Sequence, residues 1–440
     1  MNKRKTILFL SFIFAILAYS RWNGSGVDAA ALPNAVDING DSLVNIPPVN
    51  DAIQSFQDRI KNNPKDAVSY TLLGELYIRQ ARETGDVSSY QRAEAALLQA
   101  LDLLPGYSPA GASLASVYYA QHDFEHALEL TEQAYESNPK NISSLVVMGD
   151  AHLSLGNYQQ AEKIYRDLEE MIASPPVLAR LANLQELKGN PKEALHLIRL
   201  AAGNALHSSG TRESVAWYLL RVGDIYFNMG QMKNSGAYYE ASLRVFENYH
   251  LALAGLGKVR AAQRNYDEAI DYYQRAIHIV PQPDFLAALG DLYLITDQPD
   301  EAQRQYETVE YIGKLAALNQ QIYNRQLANF YSDHDVHLEE ALHLALTELE
   351  SRKDIYGYDA AAWAHYKNGN FSEAQTLMDS AMALGTQDAQ LYYHAGMIAL
   401  RLGDQVKARE HLERALAINP HFSMLHAEEA ERTLESLKSP

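Results

Sequence analysis

The chain has 440 residues, of which 47% are hydrophobic and 21% are charged, and its formal net charge at pH 7 is -18. This composition is typical of a soluble protein with a sizeable core, and its acidic balance argues against a nucleic-acid partner, because phosphate backbones repel such a chain. The chain has no cysteine, which excludes disulfides, thiolate metal sites and thiol catalysis.

Residues 1–29 predict an export signal. A basic start, Lys3 to Lys5, precedes an apolar stretch from Thr6 to Tyr19, and small residues lead to an expected cleavage after Ala29 or Ala31. Retention of this stretch as a membrane anchor is the alternative, although it is shorter than the roughly 20 residues that span a bilayer. Both interpretations export the rest of the chain. Residues 30–49 contain several Pro, Gly and Asn residues and are predicted to be a linker.

Residues 50–66 predict a single capping helix. Ile53, Phe56 and Ile60 share one helical face, and Pro64 follows where the helix should end. The stretch 421–440, which is charged and helical in pattern, is predicted to close the other end of the fold.

Between these ends, residues 67–420 repeat a spaced set of small residues followed by proline. The spacings 12, 7 and 5 occur identically in two copies: Gly257, Ala269, Ala276 and Pro281, and Gly396, Ala408, Ala415 and Pro420. A period near 34 residues indicates stacked units, because each unit has an apolar face that only its neighbour can cover. About ten such units fit the sequence.

This pattern resembles the tetratricopeptide repeat, over about residues 50–426. In units numbered from 1 to 34, bulky and small residues at positions 4, 7, 8 and 11 share a face of one helix, and those at 20, 24 and 27 share a face of the next. The resemblance implies an all-α, right-handed α-solenoid of helix-turn-helix repeats. It is similar to exported bacterial tetratricopeptide proteins, which implies a place in the cell envelope or outside the cell.

Three departures from the spacing predict inserted loops. They lie around Arg82 to Asp86, at Gly203 to Gly210, and at Tyr311 to Leu318 with a further residue in Asp333 to His337. Such loops can carry binding specificity, and tolerated surface variation is the alternative explanation.

The resemblance implies that positions 2, 5, 9, 12 and 13 line a concave groove that holds a partner segment. Position 9 is mostly Asp, Glu or Asn, and aromatic residues stand at neighbouring groove positions. Acidic and amide side chains beside aromatics suit a protein or peptide partner with a basic segment. The predicted partner-binding residues are Asp150, Asn183, Asp224, Phe227, Asp291, Asn329, Trp363 and Tyr366. The alternative is a solvated polar face with aromatics packed into irregular units.

One stretch could bind a metal ion. Asp333, His334, Asp335 and His337 supply carboxylate and imidazole ligands, but a loop needs no metal to explain its polar residues. The chain has no HExxH, GxSxG or Walker sequence, so we expect neither an enzyme nor a cofactor. The sequence therefore predicts an exported scaffold that binds a protein. The alternatives are a membrane-anchored assembly factor for an envelope or secretion complex and a metal-dependent role at 333–337.

Overall fold

A computed structural model describes residues 49–207, 211–318 and 324–438, and within these ranges it contains 22 α-helices and no strand. The predicted export signal, 1–29, and the linker up to residue 48 lie outside the described residues. In chain order the helices are α1 (Val49–Asn62), α2 (Ala67–Thr84), α3 (Ser88–Leu103), α4 (Ser108–Ala120), α5 (Phe124–Ser137), α6 (Ile142–Ser154), α7 (Tyr158–Met171), α8 (Pro175–Leu187), α9 (Pro191–Leu206), α10 (Arg212–Asn228), α11 (Met232–Val245), α12 (His250–Ala262), α13 (Tyr266–Ile279), α14 (Pro283–Ile295), α15 (Pro299–Leu318), α16 (Asn324–Asp333), α17 (Leu338–Ser351), α18 (Ile355–Lys367), α19 (Phe371–Ala381), α20 (Ala389–Arg401), α21 (Gln405–Ile418) and α22 (Ala427–Lys438).

Helices α2 to α21 form ten consecutive pairs, which we number as units 1 to 10. In each unit a first helix packs against a second one, and the next unit stacks on both. The predicted all-α solenoid is confirmed. Helix α1 precedes the array and α22 follows it. Among the described residues, no helix is both long and apolar enough to span a bilayer.

The spaced small residues allow the two helices of a unit to approach closely. A methyl group on Gly149 would lie 2.5 Å from the Tyr165 ring, and one on Gly223 would lie 2.6 Å from the Tyr239 ring. The aromatic at position 24 thus fills the space that the glycine at position 8 leaves. The alanines at position 20 are fully buried where they occur, as Ala269 in unit 6 shows. The spaced small residues of the repeat therefore serve the packing of the two helices of a unit.

The turn between the two helices of a unit has a left-handed residue at position 15. Gly189 has φ +73° and Gly369 has φ +80°, and this conformation favours glycine because it has no Cβ. Units that lack glycine there place other residues in the same conformation, namely His122, Arg264, Asp297 and Asp335.

Units far apart in the chain also contact one another. The Lys353 amide donates to the Ser154 carbonyl at 2.9 Å, and the Ile355 amide donates to the Tyr158 hydroxyl at 2.9 Å. The Thr386 hydroxyl donates to the carbonyl of Leu187, which is 199 residues earlier. The solenoid therefore completes a superhelical turn in about six units. The loop between the two helices of one unit therefore contacts the loop that follows the unit five places later in the chain, as in units 3 and 8.

Parts of all three predicted insertions lie in helices. Helix α2 has 18 residues, includes residues 82–84 and ends beside Gly85, where an added methyl group would lie 2.5 Å from Val280 in the next superhelical turn. Helix α9 has 16 residues and includes 203–206, and α15 has 20 residues and includes 311–318. A longer helix pairs its own backbone groups, so these residues extend the unit without leaving polar groups unpaired. Residues 208–210 and 319–323, within the second predicted insertion and after α15, lie outside the described residues.

Candidate functional site

The first helices of the units face inward, and two cavities lie along this inner wall of the described chain. The N-terminal cavity, about 500 Å³, is lined by residues of α4, α6, α8, α10 and α18, among them Asn183 and Trp217. The C-terminal cavity, about 380 Å³, is lined by α10, α12, α14, α16, α18 and α20 and by residues 420–431. We call the space that these helices enclose the inner channel.

The predicted acidic residues at position 9 accept hydrogen bonds inside their own units. The hydroxyls of Tyr165, Tyr239 and Tyr306, at position 24, donate to the position-9 carboxylate of the same unit at 2.7–2.8 Å. The acceptors are Asp150, Asp224 and Asp291. These carboxylates therefore fix the second helix against the first, and the sequence shows the signal, since Asp at position 9 occurs with Tyr at position 24 in these units.

Two arginines, which the sequence analysis did not identify, neutralise much of this acidity in the N-terminal cavity. The Arg180 guanidinium donates to both carboxylate oxygens of Asp150, and its Nη2 lies 2.6 Å from Oδ2. Arg221 contacts Glu186 at 3.1 Å and Asp224 at 2.9 Å. Burial raises the pKa of Glu186, although Arg221 opposes the shift. This part of the wall is charged but nearly balanced.

Towards the C-terminal cavity, the wall carries charged side chains that are exposed to solvent. Lys258 and Asp284 are exposed to solvent, yet desolvation by surrounding protein lowers the pKa of Lys258 and raises the pKa of Asp284. The surrounding protein thus favours the neutral form of both groups. Asn329, a predicted site residue, is exposed and lines the same cavity, and half-buried Asn183 lines the N-terminal one.

The predicted aromatic residues are mostly part of the packing. Phe227 is only 2% exposed, and the Lys258 ammonium lies 4.1 Å from its ring centroid. Trp363 is also 2% exposed, stacked between half-buried Tyr366 and His394 at centroid distances of 4.7 and 4.1 Å. Of Phe227, Trp363 and Tyr366, only Tyr366 keeps a partly accessible side chain. The half-buried Trp217, in the N-terminal cavity, is a better placed contact surface.

The segment after unit 10 forms part of the channel wall. Met424 packs against the core of units 6 and 7, and Glu428 pairs with Arg264 at 3.0 Å. The Tyr393 hydroxyl donates to Glu429 at 2.7 Å. With this segment included, the C-terminal cavity is lined by five carboxylates and two cationic side chains, namely Asp291, Asp333, Asp359, Glu428, Glu431, Lys258 and Arg264. It is therefore acidic.

The stretch 333–337 does not gather its polar side chains at one point. His334 Nε2 lies 2.8 Å from Asp291, Asp335 pairs with Lys367 at 2.8 Å, and His337 lies 3.6 Å from Glu310. The predicted metal site at this loop is therefore not formed.

Asp333 instead faces two histidines from elsewhere in the chain, His394 and His426. Burial raises the pKa of Asp333 to about 6 and lowers the pKa of His426 to about 3. No pattern in the sequence indicates this group, because its members are brought together by the stacking of units 8 and 10 and by the segment before α22.

Family models match three parts of the chain. Models of the tetratricopeptide repeat match residues 214–282 and 360–421, and a model of anaphase-promoting complex, cyclosome, subunit 3 matches 88–168. The first two segments overlap units 5–6 and 9–10, and the third overlaps units 1 to 3.

Curated relatives are distant. Cellulose synthase 1 operon protein C of Komagataeibacter xylinus is 26% identical over 317 residues, which is 70% of this chain and 23% of that protein. The formate-dependent nitrite reductase complex subunit NrfG of Escherichia coli O157:H7 is 26% identical over 122 residues, covering 27% of this chain and 58% of the relative. The chain spans about a quarter of the length of several curated relatives that it matches.

Among solved structures, a monomeric mutant of IFIT1 aligns with a TM-score of 0.50 at 16% sequence identity, and the alignment covers 76% of each chain. This likeness concerns the fold alone. The ten stacked helix pairs, the glycine and tyrosine packing within them and the matching repeat models agree with one another, and the chain is a tetratricopeptide repeat protein.

Proposed function

We propose that this protein is an exported scaffold that holds a segment of another protein in its inner channel. The observation that carries the proposal is the channel itself, which is open to water and lined by side chains that packing does not use. Asn183 and Trp217 offer an amide and an aromatic contact in the N-terminal cavity, and Asn329 offers an amide in the C-terminal one. A partner segment that lies there would be held by a few anchors and by many backbone contacts.

The acidic C-terminal cavity favours a partner segment with basic residues. Its carboxylates outnumber its cationic groups, and the surrounding protein strengthens their attraction for a positive charge. The position-9 carboxylates of units 3, 5 and 7 are already hydrogen-bonded, so the attraction comes from the field of the whole cavity.

Charge variants inside and outside the channel test this preference. Asn329→Lys with Glu431→Lys adds positive charge to the C-terminal cavity, and we expect it to weaken binding of a lysine-rich peptide about tenfold or more at low salt. The matched control, Gln160→Lys with Asp167→Lys, makes the same net change on exposed positions of α7. Equal loss in both variants, measured by fluorescence anisotropy, would show that general charge and not the channel governs binding.

A photo-crosslinking residue placed at Asn329 or Asn183 should identify the partner in the source cell. We expect covalent adducts with one protein from these positions and none from Gln160. Adducts from Gln160 alone would refute binding in the channel.

For the location, we propose cleavage after residue 29, supported by the basic and apolar pattern of the N-terminus. The alternative is an anchored assembly factor, and one relative is by its name a subunit of an enzyme complex. The mass of the protein isolated from its source cell distinguishes the two, because an uncleaved chain retains residues 1–29.

A further inference from the structure

Asp333, His394 and His426 bring three metal-ligating groups together beside the C-terminal cavity. Their donor atoms all lie within 4.8 Å of one another, and Asp333 Oδ1 is 3.7 Å from His426 Nε2. Both histidine side chains are 5% exposed. Two imidazoles and a carboxylate are a ligand set that Zn²⁺ and neighbouring divalent metals bind. We propose that these three residues bind a divalent first-row transition metal ion, Zn²⁺ above all.

Neighbouring side chains orient the three groups. His394 Nδ1 lies 2.7 Å from Asp359 Oδ1, so its proton is held there and Nε2 keeps its lone pair for a metal. The Trp363 indole stacks on the His394 ring, with a centroid distance of 4.1 Å and an interplanar angle of 13°. Its Nε1 donates to Asp333 Oδ1 at 2.8 Å, which fixes the carboxylate and leaves its other lone pairs available. A carboxylate–histidine pair of this kind is common behind metal ligands.

The two imidazoles direct their nitrogens at a common point. Gln390 Nε2 lies 2.8 Å from His394 Nε2 and 3.2 Å from His426 Nδ1, so one amide group serves both rings as a hydrogen-bond donor. A cation bound to His394 Nε2 would take the place of that donor and would use one nitrogen of His426, either Nδ1 or the Nε2 that faces Asp333. A tetrahedral ion with bonds of about 2.0–2.1 Å needs its ligands roughly 3.3 Å apart, so the donor atoms, which lie within 4.8 Å of one another, must move closer when it binds.

The local charge also favours a divalent ion. Asp333 and Asp359 lie beside the imidazoles of His426 and His394, and the ammonium of Lys367 is paired with Asp335 at 2.8 Å. Carboxylates in such an environment are costly without a compensating charge. The adjoining cavity of about 380 Å³, lined by Asp333, Asp359 and His394, has room for a water molecule to complete the coordination.

The bound ion would join three parts of the fold. Asp333 ends α16 in unit 8, His394 lies in α20 of unit 10, and His426 directly precedes α22. The residues around His426 form one wall of the C-terminal cavity. Metal binding therefore fastens the C-terminal segment against the channel, whether or not a partner binds there.

Titration of the full chain, stripped with a chelator, with Zn²⁺ alone tests the site. We expect one equivalent to bind at micromolar concentration or tighter, and Co²⁺ to show the visible absorption of a tetrahedral ion. Asp333→Asn and His426→Gln should each weaken binding about tenfold or more, as loss of a ligand requires. His337→Gln, a histidine from the loop where sequence alone placed a metal, should bind as the native chain does.

Hydrogen exchange of the native chain and melting temperatures of the native and variant chains give two further measurements. Zn²⁺ should slow exchange over residues 420–431, and it should raise the melting temperature of the native chain and of His337→Gln but not of Asp333→Asn. The proposal is overturned if the native chain binds no stoichiometric Zn²⁺, if Asp333→Asn retains native affinity, or if His337→Gln loses it.

Discussion

Two glycines at the same position of different units allow the contact between superhelical turns to be measured. Gly189 in unit 4 and Gly369 in unit 9 both lie at position 15 with left-handed backbones, φ +73° and +80°. A methyl group on Gly369 would meet nothing within 4 Å, whereas one on Gly189 would collide with the carbonyl of Gly385 in the next superhelical turn. Alanine at either site has the same backbone cost, so the difference between the two variants reports on the contact.

The expected loss of unfolding free energy has two contributions, the left-handed backbone and the collision with the next superhelical turn. Alanine in a left-handed conformation costs roughly 1–2 kcal/mol, which is the expected loss for Gly369→Ala. Gly189→Ala should lose about 1–3 kcal/mol more, because the Gly385 carbonyl belongs to a backbone that must shift as a whole. A second pair repeats the comparison, since a methyl group on Gly156 would lie 2.5 Å from the Lys353 carbonyl and one on Gly403 would meet nothing within 4 Å.

Urea unfolding followed by circular dichroism gives the stability of each variant, and hydrogen exchange shows where protection is lost. We expect Gly189→Ala to increase exchange both around unit 4 and in the segment between units 9 and 10. Exchange in Gly369→Ala should change around unit 9 alone. Equal losses of stability in the two variants, or a change confined to unit 4, would refute a stabilising contact between turns.

Three further predictions concern single hydrogen bonds and pH. Tyr239→Phe removes the hydroxyl that donates to Asp224 at 2.8 Å and should cost about 1 kcal/mol in urea unfolding, and no loss would show that the bond is not stabilising. Asn419→Ala removes a buried donor to the Phe227 carbonyl at 2.9 Å and should cost about 2 kcal/mol, with faster exchange in unit 5 as well as unit 10. Burial lowers the pKa of His250 from 6.5 to about 4, so the folded chain holds a neutral ring that the unfolded chain protonates. Stability is therefore complete above pH 6.5 and falls as the pH drops towards about 4, by up to about 3 kcal/mol, and His250→Phe should flatten that part of the pH profile.

The units could be predicted from sequence because their packing is local. Gly149 and Tyr165 lie within one unit, and the space that one leaves is filled by the other, so the spacing alone specifies the pair. The same spacing fixes which residues face inward. It does not specify their partners there: Asp150, which the sequence predicts to bind a partner segment, accepts hydrogen bonds from Tyr165 and Arg180.

The contacts between turns could not be predicted, because they depend on the curvature summed over about six units. Ser154 and Lys353 contribute backbone groups, so their side chains carry no signal of the contact. The metal-ligating group shows the same difficulty. The sequence grouped Asp333 with its neighbours in the loop, whereas stacking places it against His394 and His426.

These long-range contacts change how the array should respond to perturbation. A solenoid in which each unit touches only its neighbours has a stability that is nearly a sum of unit and nearest-neighbour terms. Here unit 4 also contacts the segment between units 9 and 10 through Leu187 and Thr386, so a weakened unit in one turn loses support from the other.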